Sequence, residues 1–127
     1  MGSPQVLDSS AVLAWLQQEP GHERVGDLLA EAVVTAANWA EILQKARQHG
    51  ADLDEVGLLL RSLGLEVVDV TREDGERAAS IWKKRFPLSL GDRLCLAVAA
   101  RLGLPVVTSD ALWKKASIDD VDIELLR

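Results

Sequence analysis

The chain has 127 residues, of which 48% are hydrophobic and 27% charged, and its formal net charge is −6 at neutral pH. That length suits a single domain, residues 1–127, with a sizeable core, and the composition excludes a disordered or low-complexity chain. No apolar run approaches the roughly 18 residues of a membrane helix, Met1-Gly2-Ser3-Pro4 lacks the basic-then-apolar layout of a signal peptide, and the acidic balance counts against nucleic-acid binding through a broad basic surface.

In chain order, Gln5-Val6-Leu7-Asp8 reads as a short strand ending in an acid. Ser9-Ser10 open a helix from Ala11 to Gln17, with Val12, Leu13, Trp15 and Leu16 mostly buried. Pro20-Gly21 breaks the chain, and a second helix runs from Glu23 to Ala32. Val33-Val34-Thr35 is either a strand or a tight connection. A third helix spans about Ala36 to Gln48, with Ala36, Trp39, Ala40 and Leu43 on its apolar face and Glu41 on a more polar one. Asp52 caps a fourth, Leu53 to Leu63, closed by Gly64.

Leu65 to Val70 is a strand by its β-branched content, and Thr71 with Asp74 forms a capping-box pattern for a fifth helix that continues to about Arg85, before Pro87. Ser89 then caps a helix to Leu102, whose inward face holds Leu96, Ala99, Ala100 and Gly103 and is shared by Asp92 and Cys95. Gly103 terminates it. Pro105 to Thr108 fits a buried strand, Ser109-Asp110 starts a short helix to Ala116, and Val121 to Leu126 fits an edge strand. The alternation predicts a three-layer α/β/α domain with a mainly parallel sheet of four or five short strands.

Four acids stand out by position: Asp8 after the first strand, Glu41 in the third helix, Asp92 at a helix start and Asp110 after a late strand. In such folds, sites gather at the carboxyl ends of the strands. Carboxylates brought together there repel, at about 4 kcal/mol per pair 4 Å apart for an effective dielectric of 20, so they hold protons or surround a cation. An all-oxygen set selects a hard ion, Mg²⁺ or Mn²⁺. Cys95 is the only cysteine, which suits a reducing cytoplasm, and with only His22 and His49 beside it a zinc site is disfavoured. Each acid also has a local alternative: Asp8 and Asp110 as N-caps, Asp92 as the third residue of a capping box, and Glu41 as the partner of Lys45. The other acids, Asp74 among them, read as solvated faces, caps and turns.

Val6-Leu7-Asp8-Ser9-Ser10-Ala11, Asn38-Trp39-Ala40-Glu41, Leu90-Gly91-Asp92 and Val107-Thr108-Ser109-Asp110 resemble, in order, the four acidic motifs of PIN-domain nucleases, and most closely the VapC-type toxins of type II toxin–antitoxin pairs. The resemblance implies an Mg²⁺- or Mn²⁺-dependent endoribonuclease in which Asp8, Glu41, Asp92 and Asp110 hold the metal, with Ser10, Asn38 and Thr108 as polar supports. It further implies an RNA substrate, a homodimer and a cognate antitoxin. Lys83, Lys84, Arg85, Arg93, Lys114 and Lys115 flank the motifs and are candidates for phosphate contact. Trp82 and Trp113 are candidates for stacking on bases, against core or dimer packing. Two alternatives compete: a catalytically silent PIN-like module binding RNA or a partner, and a receiver-like phosphoacceptor. The receiver wants a lysine at the end of a late strand, where this chain has Thr108 and Ser109.

Overall fold

A computed structural model describes residues 4–116 and 118–127. Met1, Gly2 and Ser3, most of the opening discussed above, and Ser117 lie outside the described residues. Five strands form one sheet: β1 (Gln5–Leu7), β2 (Ala32–Thr35), β3 (Glu66–Val68), β4 (Val106–Thr108) and β5 (Ile123–Leu125), in the order β3-β2-β1-β4-β5. Every adjacent pair is parallel. The helices are α1 (Ser9–Leu16), α2 (His22–Leu28), α3 (Ala36–Gln48), α4 (Leu53–Ser62), α5 (Arg72–Ser80) and α6 (Leu90–Leu102), with 3₁₀ turns at Leu29–Glu31 and Ala111–Ala116.

Alternation along the three inner strands creates the layers, because successive side chains leave a strand on opposite faces. Leu7, Val34 and Val107 join one apolar cluster with Val12, Val25, Ile42 and Leu60 from α1 to α4. Val6, Val33 and Val106 join the other with Cys95, Leu96 and Ala99 of α6 and the buried Trp113. Both faces are therefore dry, and the inner strands carry apolar residues on both sides, with polar residues only at their ends, Gln5, Thr35 and Thr108, as expected for a covered parallel sheet. The result is the three-layer α/β/α architecture.

Several boundaries differ from the sequence-based expectation. The second helix does not reach Ala32: α2 ends at Leu28, the chain tightens into the 3₁₀ turn, and Ala32 is buried as the first residue of β2. Val33 to Thr35 is a full inner strand, not a connection. The strand at Leu65 to Val70 shortens to Glu66–Val68. The fifth helix stops at Ser80 instead of Arg85, with Ile81 as its C-cap; Arg85 takes a positive φ of 69° further on, before Pro87. Trp82 consequently leaves the helix and is 59% exposed. On α6, Leu96 and Ala99 are buried as predicted, but Gly103 is the exposed left-handed C-cap, φ 67°, not part of the inward face.

On α3 the apolar-face assignment fails at Ala36 and Ala40, which are exposed; the buried stripe is Asn38, Ile42 and Ala46. Asp74 is not a solvated acid. It completes the Thr71 capping box and receives Nε and Nη2 of Arg101 at 3.0 Å each while almost fully buried. Burial opposes its ionisation, but Arg101 and the Thr71 bonds outweigh that and hold the carboxyl below the ordinary range.

Gly64 joins α4 to β3 with φ 106°, and a Cβ there would fall 2.7 Å from Ala30 Cα. Gly64→Ala is expected to lower unfolding free energy by roughly 2–3 kcal/mol, since both the backbone region and the space are closed to a side chain. A urea midpoint unchanged from wild type would contradict this.

Candidate active site

The site grows out of the strand register. Leu7 pairs with Val107, so Asp8 and Thr108 emerge side by side at the carboxyl ends of β1 and β4. Asp8 is the N-cap of α1 and accepts from Ala11 N at 2.9 Å. Thr108 Oγ1 donates to its Oδ2 at 2.6 Å, and Ser10 Oγ lies 2.8 and 2.9 Å from its two oxygens. The same network ties in the fourth motif: Ser109 N donates to Ser10 Oγ, and Asp110 N to Thr108 Oγ1, both at 3.1 Å. Asp110 in turn accepts from Leu112 N at 2.9 Å, starting the 3₁₀ turn.

The second pair of motifs meets across α3 and α6. Thr35, at the end of β2, caps α3 by accepting from Asn38 N. Asn38 is fully buried and its Nδ2 donates to Glu41 Oε1 at 2.6 Å, so Glu41 turns to Asn38 and not to Lys45. Glu41 rests against Gly91 in the first turn of α6, beside Asp92. Asp92 forms a reciprocal capping box with Ser89, accepting from Ser89 N through Oδ2.

The electrostatics record the convergence. Burial raises the Asp8 pKa to about 6 against its three hydrogen-bonding partners, with a further push from Asp92. Burial also raises Asp92, and the charges of Glu41 and Asp110 add to it. Cys95, one turn further along α6, is pushed well up by burial and then by Asp8, Asp92 and Glu41. All four acids therefore share one electrostatic neighbourhood although they come from four separate segments. The capping alternatives for Asp8, Asp92 and Asp110 are also realised. Capping and clustering are compatible: Asp92 and Asp110 each use one oxygen for the backbone and leave the other free.

Among the described residues no three acids, histidines or thiols are already closed around a single point. Asp92 and Asp110 each have one oxygen bound to the backbone of their own segment, and Asp8 is taken up by Ser10, Ala11 and Thr108. The donor set nevertheless fits a hard divalent cation: four carboxylates without sulfur or imidazole, a buried Asn38 Oδ1 with no partner, and mutual repulsion that a cation relieves.

The basic residues divide. Lys84, Arg85, Lys114 and Lys115 are exposed, and Lys83 reaches Ala116 O at 3.4 Å. Arg93 is half-buried and committed to the helix layer, with Nη1 donating to Ala78 O at 2.8 Å and Nε buried without a partner. Trp113 is fully buried and Trp82 is not. Gly91, which touches Glu41, was not singled out from the sequence as a site residue; its signals are its place in the Leu90-Gly91-Asp92 motif and a poor helix former inside a helix.

The PIN domain family profile matches residues 6–118. The chain belongs to the PIN domain family. Solved structures with this fold include a toxin–antitoxin complex from Klebsiella pneumoniae, at TM-score 0.77 and 14% identity over 97% of this chain and 98% of that one. A DNA-bound VapBC from Salmonella typhimurium aligns at TM-score 0.74 and 18% identity over 100% of both chains. A sarcin–ricin loop cleaving VapC toxin of Mycobacterium tuberculosis aligns at 0.72 and 16%, over 94% of this chain and 99% of that one. Comparison with curated protein sequences gives no significant match.

Proposed function

We propose that this chain is a metal-dependent endoribonuclease of the VapC type, the toxin of a toxin–antitoxin pair. One observation carries the proposal: Asp8, Glu41, Asp92 and Asp110 come from four separate segments, yet lie close enough that the charge of Asp92 adds to the raised proton affinity of Asp8, and those of Glu41 and Asp110 add to that of Asp92. A scaffold without chemistry has no use for such repulsion, whereas perturbed acids in a cluster are what a catalytic site requires.

In this reading the four acids hold Mg²⁺ or Mn²⁺, and the ion, when bound, stabilises negative charge developing on phosphate oxygens. Asp92 keeps Oδ1 outside its capping box and available to the cluster, and a carboxylate of the cluster accepts the proton of the attacking water. Water adds to phosphorus, the bond to the 3′-oxygen breaks, and that oxygen takes a proton from solvent water and leaves as a hydroxyl beside a new 5′-phosphate, while the carboxylate returns its proton to solvent. Ser10, Thr108 and Asn38 fix the carboxylates. Lys83, Lys84, Arg85, Lys114 and Lys115 meet the flanking phosphates, which offsets the acidic total.

Two surface features support protein partners. Leu13, Leu16, Ala46 and Val56 line an apolar groove of about 390 Å³ that suits a segment of the antitoxin. Leu58, 70% exposed, with Leu59 on the same helix and Leu63 at its C-cap, suits a second copy of the chain. No helix of the described residues is long and apolar enough to cross a membrane, and a cytoplasmic location fits the reduced Cys95.

The test is cleavage of total cellular RNA with the new ends mapped. Cleavage is expected to require Mg²⁺ or Mn²⁺, to stop with chelator, and to resume with Mn²⁺. Asp92→Asn keeps a capping side chain, so it should fold normally and cleave at least about a hundredfold more slowly, a loss of roughly 3 kcal/mol of transition-state stabilisation. Cleavage indifferent to chelation, or wild-type rates in the folded variant, would overturn the proposal.

A further inference from the structure

Gly91 sits in the first turn of α6, between the capping residue Ser89 and Asp92. It does not adopt the positive φ found at Gly21, Gly50, Gly64 and Gly103, so its place is not explained by backbone freedom. Alanine is the better helix former there. What distinguishes the position is its neighbour. A Cβ at Gly91 would lie 2.7 Å from Glu41 Oε1, 3.1 Å from Cδ and 3.2 Å from Oε2. Among the described glycines, no other would bring a Cβ against a carboxylate; Gly75, also helical, faces open space.

On its other side the Glu41 carboxylate is held by Asn38, whose Nδ2 is 2.6 Å from Oε1 and 3.5 Å from Gly91 O. Glu41 is thus wedged between a buried amide and bare helix backbone. We propose that Gly91 is a positioning residue: the missing side chain at the start of α6 lets the Glu41 carboxylate lie beside Asp92 within reach of Asn38. The consequence for metal binding rests on the proposed role of Glu41; the positioning itself does not. Because the conflict is with the tip of a flexible side chain, an added methyl displaces Glu41 and leaves the helix in place.

Gly91→Ala is read in three ways. In metal-free protein its thermal midpoint should equal or exceed that of wild type, while the Asn38 side-chain amide resonance moves toward its position in Glu41→Ala. Affinity for Mn²⁺ alone, by calorimetry, should fall at least tenfold. In a Glu41→Asp background, where the shorter side chain no longer meets the methyl, Gly91→Ala should change Mn²⁺ affinity less than twofold. An unmoved Asn38 resonance, a midpoint lowered by several degrees, or equal affinity losses in both backgrounds would overturn the inference. If wild type binds no Mn²⁺, the metal-site reading fails, and the Asn38 resonance still decides the role of Gly91.

Discussion

Asp8→Asn is expected to make the metal-free protein more stable at pH 8 while lowering cleavage by roughly a thousandfold, equivalent to about 4 kcal/mol of transition-state stabilisation. Asp8 is 3% exposed, and its pKa rises from 3.8 to about 6 on folding. Between those values the folded chain keeps a proton that the unfolded chain releases. Stability therefore falls as pH rises through that window and stays at the lower level above it. The shift corresponds to about 3 kcal/mol at 1.36 kcal/mol per pKa unit. Asparagine has no charge to bury, still accepts from Ala11 N, and can meet the Ser10 and Thr108 hydroxyls. It should recover about 1–2 kcal/mol at pH 8 and almost nothing at pH 4. Urea unfolding at both pH values checks the sign. An asparagine variant less stable than wild type at pH 8 would show that the Asp8 charge is no burden to the fold.

Trp113→Ala is expected to have the largest effect on stability of any single truncation considered for this chain. The indole is fully buried against Val6, Leu96, Val106 and Val121. Removing it leaves a cavity beneath the sheet and should lower unfolding free energy by about 3–5 kcal/mol. The 3₁₀ turn from Ala111 to Ala116 begins on Asp110 and is anchored by this side chain, with Trp113 N donating to Asp110 O at 3.2 Å. Loss of the anchor should therefore also loosen the fourth motif. Trp82→Ala is the control: at 59% exposure it should stay within about 0.5 kcal/mol of wild type. Equal losses in the two variants would contradict the assignment of Trp113 to the core and Trp82 to the surface.

The layered fold was legible because its signals are strong and local. Ala36–Gln48 has the predicted ends, and the Ser89 box and Gly103 close α6 as read from their residue types. Three of the errors share a cause. Ala32, Ala36 and Ala40 are small enough to sit either side of the surface, so their apolarity does not say which way a face points. Asn38 was the reverse case: polar by type, yet fully buried because its amide has Glu41 to bind. The acids were recognised through position at strand ends and through the family motifs. Their caps were read as alternatives to a cluster, and only three-dimensional geometry reveals that a carboxylate can cap its own segment and still lie near the other acids. Gly91 belongs to the third motif, but its contact with Glu41 was not legible, since a steric requirement between segments 50 residues apart has no local signature.

The thiol of Cys95 lies wholly beneath α6, on the turn after Asp92. An alkylating reagent reaches it only when that helix lifts from the sheet, and the same excursion scatters the acid cluster. The chain thus carries a built-in clock: its modification rate under native conditions sets a lower bound on how often the acid cluster is taken apart, with no label introduced and no turnover observed.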